Sequence, residues 1–90
     1  MVIVTHVRLS GGETHAHISE VRWWNPEDGQ MSSSTRLTMV DWILNKGGVA
    51  RVTDGYHLVD VRVVTDADPQ YIRTWADGVW TDNLLALPRF

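Results

Sequence analysis

The chain has no cysteine, and that absence removes disulfide scaffolds, thiolate zinc sites, iron–sulfur clusters and cysteine nucleophiles together. No apolar run approaches the roughly 18 residues of a membrane-spanning helix, and no basic-then-apolar start is present. Neither a membrane span nor a signal peptide is therefore expected. Basic residues are scarce as well: eight lysines and arginines stand against eleven acids, for a net charge of −3. A pI near 5.7 argues against nucleic acid as the main partner, because phosphate binding needs a basic surface. P-loop, dinucleotide-fingerprint and His-Glu-x-x-His motifs are missing. Ser32, Ser33 and Ser34 lack the Gly-x-Ser-x-Gly elbow of an activated nucleophile. A chain of 90 residues also leaves little room for a deep pocket. The expectation is a protein without enzymatic activity.

What is present describes an ordinary globular chain. With 43% hydrophobic and 21% charged residues, the composition suits one packed domain over residues 1–90, in the cytoplasm, rather than a disordered segment. Lysine occurs once, at Lys46, against seven arginines. That bias marks a GC-rich genome and points to an actinobacterial host or one of its phages, hence to bacterial or host cytoplasm. Five tryptophans are several times the usual share. Tryptophan supplies large buried area and is enriched at binding hot spots.

Periodicity divides the chain into hairpins and one helix. Val2 to Leu9 and Thr14 to Trp24 read as strands about a Gly11-Gly12 turn. A two-residue loop there sets Arg8 against His15 and His6 against His17. One face then carries Ile3, Val7, Leu9, Ala16 and Ile18, and the other carries His6, Arg8, His15, His17 and Ser19, turning apolar at Val2, Val4, Val21 and Trp23. Asn25 to Ser34 reads as a loop that ends in a helix cap at Ser34 or its neighbour. Leu37, Met39, Val40, Ile43 and Leu44 recur at helical spacing from Thr35 to Lys46, with Trp42 off the stripe, and Gly47-Gly48 stops the helix. A second hairpin joins Val49–Val52 to Tyr56–Val64 through Asp54-Gly55. A third turns at Asp77-Gly78, setting Trp75 opposite Trp80 and Arg73 opposite Asp82. The fold class expected is α+β: a twisted antiparallel sheet built from hairpins, with one amphipathic helix packed on one face.

Tyr71-Ile72-Arg73-Thr74, then Asp77-Gly78, then Thr81-Asp82-Asn83-Leu84-Leu85-Ala86-Leu87-Pro88-Arg89-Phe90 resembles the C-terminus of a family of small bacterial and phage proteins known as domain of unknown function 3892. The resemblance extends to Thr5-His6-Val7-Arg8, to His15-Ala16-His17-Ile18 running into Val21-Arg22-Trp23-Trp24, and to Trp42-Ile43. In the branch it is most similar to, a glutamate commonly separates the two histidines, where this chain has Ala16. The resemblance implies a one-domain outline and no activity.

Two constellations compete for a role. His15 and His17, at i and i+2 on a strand, would point the same way with His6 opposite. Three imidazoles within reach is a ligand set for zinc or nickel, completed by water or a carboxylate. The structural alternative is a polar strand face with one histidine half-buried. Trp23 and Trp24 are adjacent on a strand and must point to opposite faces. One joins the core, and the other needs cover from the tail leucines, from a second copy of the chain in a homodimer, or from another protein. Arg22, Pro26 and Met31 frame it with the composition of an interface core. Arg22, Arg51, Arg62 and Arg73 on strands would also suit a single-stranded nucleic-acid platform, but eleven acids are dispersed among the same elements. The reading adopted is a protein-binding module, capturing a host protein if phage-encoded, with contact residues Arg22, Trp23, Trp24, Pro26 and Met31. Its alternative is a metal site at His6, His15 and His17.

Overall fold

The computed structural model describes every residue, Met1–Phe90. Its strands are β1 (Val2–Leu9), β2 (Ile18–Trp24), β3 (Met31–Thr35), β4 (Ala50–Thr53), β5 (Leu58–Val64), β6 (Tyr71–Ala76) and β7 (Val79–Thr81). One α-helix, α1 (Arg36–Asn45), and a 3-10 turn at His15–His17 complete the regular structure. The strands form a single sheet in the order β3-β2-β1-β4-β5-β6-β7. It is mixed, where an antiparallel sheet was expected: β1 and β4 run parallel, with Val2 beside Ala50 and Ile3 beside Arg51. Turn chemistry pairs only neighbours in sequence, whereas the β2-β3-α1 excursion acts as a crossover and brings β4 back in the direction of β1.

The first hairpin departs from its expected register through two bulges. Val4 lies opposite Trp23 but His6 lies opposite Arg22, which leaves Thr5 as the extra residue on β1. Arg8 lies opposite Glu20 and Leu9 opposite Ile18, which leaves Ser19 extra on β2. Each bulged residue has a hydroxyl that donates across the ribbon, Thr5 Oγ1 to the Arg22 carbonyl at 3.2 Å and Ser19 Oγ to the Arg8 carbonyl at 3.2 Å. A bulge inverts the alternation beyond it. Val2, Val4, Val7, Ile18 and Val21 therefore all reach one core, which strict alternation would split between two faces. The loop at the closed end is longer than two residues. It takes in the 3-10 turn, closed by Ser10 N–H to the His17 carbonyl at 2.9 Å.

The segment read as a loop is a shorter turn followed by β3. Asn25 Oδ1 accepts from Glu27 N–H, Asp28 Oδ1 accepts from Gln30 N–H, and Gly29 sits at φ +75°. β3 then pairs with β2 from Trp24–Met31 to Glu20–Thr35. Thr35 caps α1, its hydroxyl accepting from Thr38 N–H at 3.3 Å. Met39 and Val40 enter the core with Trp42 and Ile43 packed beside them, while Leu37 is 72% exposed. The buried stripe is thus rotated from the one that Leu37 and Leu44 define. At the other end, Leu84 is buried, and Leu85 and Leu87 pack on the same core. The tail then lies along β1 where β4 has diverged: Val7 N–H donates to the Pro88 carbonyl, and Phe90 N–H to that of Val7. No helix is long and apolar enough to cross a membrane.

Candidate interaction face

The pairings assemble one row across all seven strands, from Met31 through Trp24, Ile3, Arg51, Asp60 and Trp75 to Trp80. Directly paired residues project from the same side of a sheet, so these seven side chains share the face opposite the core. Adjacent strands rotate by about 20–25°, so the two ends of the row face different directions. Ile3 is buried at its centre beside the ion pair of Arg51 Nε with Asp60 Oδ1 at 3.0 Å. Aromatic residues occupy both ends.

Register and the period of two place five of the seven arginines on this face as well: Arg8, Arg22, Arg51, Arg62 and Arg73. Four of them meet acids. Arg8 lies 3.7 Å from Glu20, Arg51 and Arg62 share Asp60, and Arg73 reaches Asp82 at 2.9 Å. Arg22 has no acidic partner. Its guanidinium stacks instead on the Phe90 ring, 4.5 Å from the ring centre, and Arg8 stacks there at the same distance. Such contacts contribute about 0.5–1 kcal/mol at exposed sites. The Phe90 carbonyl accepts from Arg8 Nε at 3.0 Å, and His6 meets the Phe90 ring edge-on at 6.4 Å.

The expected contact residues separate. Trp24 and Met31 are direct cross-strand partners and remain 40% and 67% exposed. Arg22, two residues before Trp24, shares their face, and Pro26 is exposed in the turn between β2 and β3. Trp23 points the other way. It packs against the core, and its Nε1–H donates to Ser34 Oγ at 3.0 Å. Phe90 and Arg8 were not foreseen as part of this surface. Alternation puts Arg8 on the polar face of the first hairpin, but the bonds between the tail and Val7 that bring Phe90 to it are non-local.

The three histidines do not gather as the expected register required. His6 faces Arg22 and Phe90. His17 sits in the 3-10 turn, where its Nδ1 lies 2.7 Å from Thr14 Oγ1 and its ring lies so close over Gly12 that a Cβ there would overlap it. His15 is buried toward β6, with Nε2 3.9 Å from Asp82 Oδ1 and no hydrogen-bond partner. Burial lowers its pKa, Arg73 adds to the depression and Asp82 opposes it. No three His, Cys, Asp or Glu side chains converge anywhere in the chain. The bulges and the 3-10 turn are the reason, since they take His15 and His17 off the strand. The aspartates before glycines act in turns: Asp54 accepts from the Tyr56 and His57 N–H groups, which hold its pKa at about 2.

Residues 3–88 match the model of a family described as protein of unknown function, DUF3892. The chain belongs to this family. The match runs from Ile3, at the centre of the row, to Pro88, whose carbonyl fixes the tail on β1. Comparison with curated proteins and with solved structures gives no match.

Proposed function

We propose that this member of DUF3892 is a binding module without enzymatic activity, which docks another protein on the outer sheet face with Trp24 as its anchor. The observation that carries the reading is the Trp24–Met31 pair, exposed together beside an edge strand. Buried aromatic anchors framed by arginine dominate interface energetics, and a thioether side chain adapts to a partner's contour. Arg22 supplies the arginine and Pro26 the rigid rim. The partner's matching surface is an apolar pocket bordered by a carboxylate, because Arg22 is the one arginine of this face held only by an aromatic ring.

The same face resembles a stacking platform for single-stranded nucleic acid, but four of its five arginines are paired with the three carboxylates of Glu20, Asp60 and Asp82. A phosphate backbone would have to displace those carboxylates, so a protein is the better occupant. The test is capture by tagged chain from bacterial lysate, with and without nuclease, using Trp24→Ala as the control. A stoichiometric protein that survives nuclease and is lost with Trp24→Ala supports the reading. Capture that nuclease abolishes, or that is equal in both forms, overturns it.

A further inference from the structure

On the core side, away from the interaction face, a cavity of about 290 Å³ opens between β2, β3 and α1. Trp23 and Trp42 contribute its aromatic surfaces, with Asn25, Ser34, Asp41 and Lys46 among the polar residues around them. Both indoles are fixed from behind. Trp23 is tied through Nε1–H to Ser34 Oγ. Trp42 lies on Gly48, where any Cβ would collide with the ring, and its carbonyl accepts from Lys46 and Gly48 N–H at the helix end. Flat surfaces held this way need no ordering when a flat ligand arrives, which favours affinity.

The polar residues define what the ligand must offer. Asp41 is already engaged: Oδ1 accepts from Asn45 Nδ2 at 2.8 Å, and Oδ2 faces the Lys46 ammonium at 3.6 Å. Ser34 Oγ accepts from Trp23, so its own hydroxyl proton is free to donate. Asn25 Oδ1 accepts from Glu27 N–H, which leaves Nδ2 as a free donor. Lys46, ion-paired with Asp41, adds a cationic donor at the rim. Donors therefore stand open at Ser34 and Asn25, while Asp41 is partly engaged and keeps lone pairs for a donor on the ligand. A cavity at the small end of ligand sites admits one ring system rather than an extended molecule. We infer that it binds a small planar heterocycle with carbonyl or ring-nitrogen acceptors along its edge, of the nucleobase or nucleoside class.

The test follows the indole Nε1–H signals of all five tryptophans in the full chain during titration with guanosine, adenosine, cytidine, uridine and, as a ring without acceptors, indole. The expected result is a saturable shift of both the Trp23 and Trp42 signals with at least one nucleoside, and weaker binding of indole. Asn25→Ala should weaken that nucleoside about five- to tenfold, as expected for one lost hydrogen bond, with a small fall in thermal midpoint because Glu27 N–H loses its acceptor. Trp42→Leu should abolish the response, and if that variant fails to fold, Asn25→Ala carries the test. The inference is overturned if no nucleoside moves both signals at about millimolar concentration. It is overturned equally by shifts confined to Trp24, Trp75 and Trp80, by indole binding as tightly as the best nucleoside, or by an Asn25→Ala variant that binds unchanged.

Discussion

The two ends of the cross-strand row hold aromatic side chains of nearly equal exposure, Trp24 at 40% and Trp80 at 37%, yet they are engaged differently. Trp80 meets Trp75 edge to face, with ring centres 4.9 Å apart and planes at 80°, and Arg62 lies over Trp75 at 5.4 Å. Trp24 is paired with Met31, which is itself mostly exposed, and its arginine neighbour is turned to Phe90. Exposure alone does not mark a docking residue. What distinguishes the two is whether a tryptophan's favourable contacts are already made within the chain.

That contrast is sharpest in stability against binding. Trp75→Ala removes a half-buried indole, its edge-to-face partner and the contact with Arg62. We expect a loss of about 3 kcal/mol in chemical denaturation, at the low end for Trp→Ala because the site is not fully enclosed. Trp24→Ala should cost under about 1 kcal/mol of stability but about 2 kcal/mol or more of partner affinity. A thermal midpoint that falls as far for Trp24→Ala as for Trp75→Ala would erase the distinction and place Trp24 in the structural framework. Coupling energies give a finer measure. A double-mutant cycle on Trp75 and Trp80 should return about 1 kcal/mol. The same cycle on Trp24 and Met31, without partner, should return no more than about 0.5 kcal/mol. Equal couplings would mean that both ends are internally satisfied.

The β7 end was legible in sequence for the same reason that it is self-contained. Asp77-Gly78 dictates a tight turn, and the turn alone sets Trp75 against Trp80 and brings Arg73 to Asp82. The Asp54-Gly55 connection and the alternation of Val61 and Val63 with Asp60 and Arg62 are equally local. The β3 end depends on relations that no local rule encodes. Thr5 and Ser19 look like ordinary strand residues, yet each is a bulge that inverts the pattern after it. Ser32, Ser33 and Ser34 have poor strand propensity, and they form a strand because β2 offers a free edge. The parallel β1–β4 pairing brings together residues some 48 positions apart, so the row that unites the face was invisible until the sheet was assembled. That one of Trp23 and Trp24 is exposed near Met31 could be read from sequence, but which of the two could not. Nor could the placing of Phe90 beside Arg22.

The smallest effect expected separates the two ends by pH. His15 leans on the β6 side, buried near Asp82 and Arg73, and its pKa is lowered, first by burial and then by Arg73. In the folded chain it stays neutral at pH values where the unfolded chain, near its ordinary value of 6.5, takes up a proton. The unfolded state therefore binds more protons in that window, and stability rises with pH there. The contribution is complete above about 6.5 and declines as pH falls from there toward the folded pKa. Asp54, with its pKa lowered to about 2, acts in a lower window, where its contribution is lost as pH falls from about 4 toward 2. Denaturation midpoints measured at intervals from pH 7.5 to 5, by about half-unit steps, should show a downward slope that His15→Gln flattens. Amide exchange should place the early loosening in the 3-10 turn and the β6–β7 hairpin, with β2 and β3 unmoved. Loosening that begins at β3 instead would assign the acid response to the interaction face, and would make Trp24's end of the sheet, rather than Trp80's, the one coupled to His15.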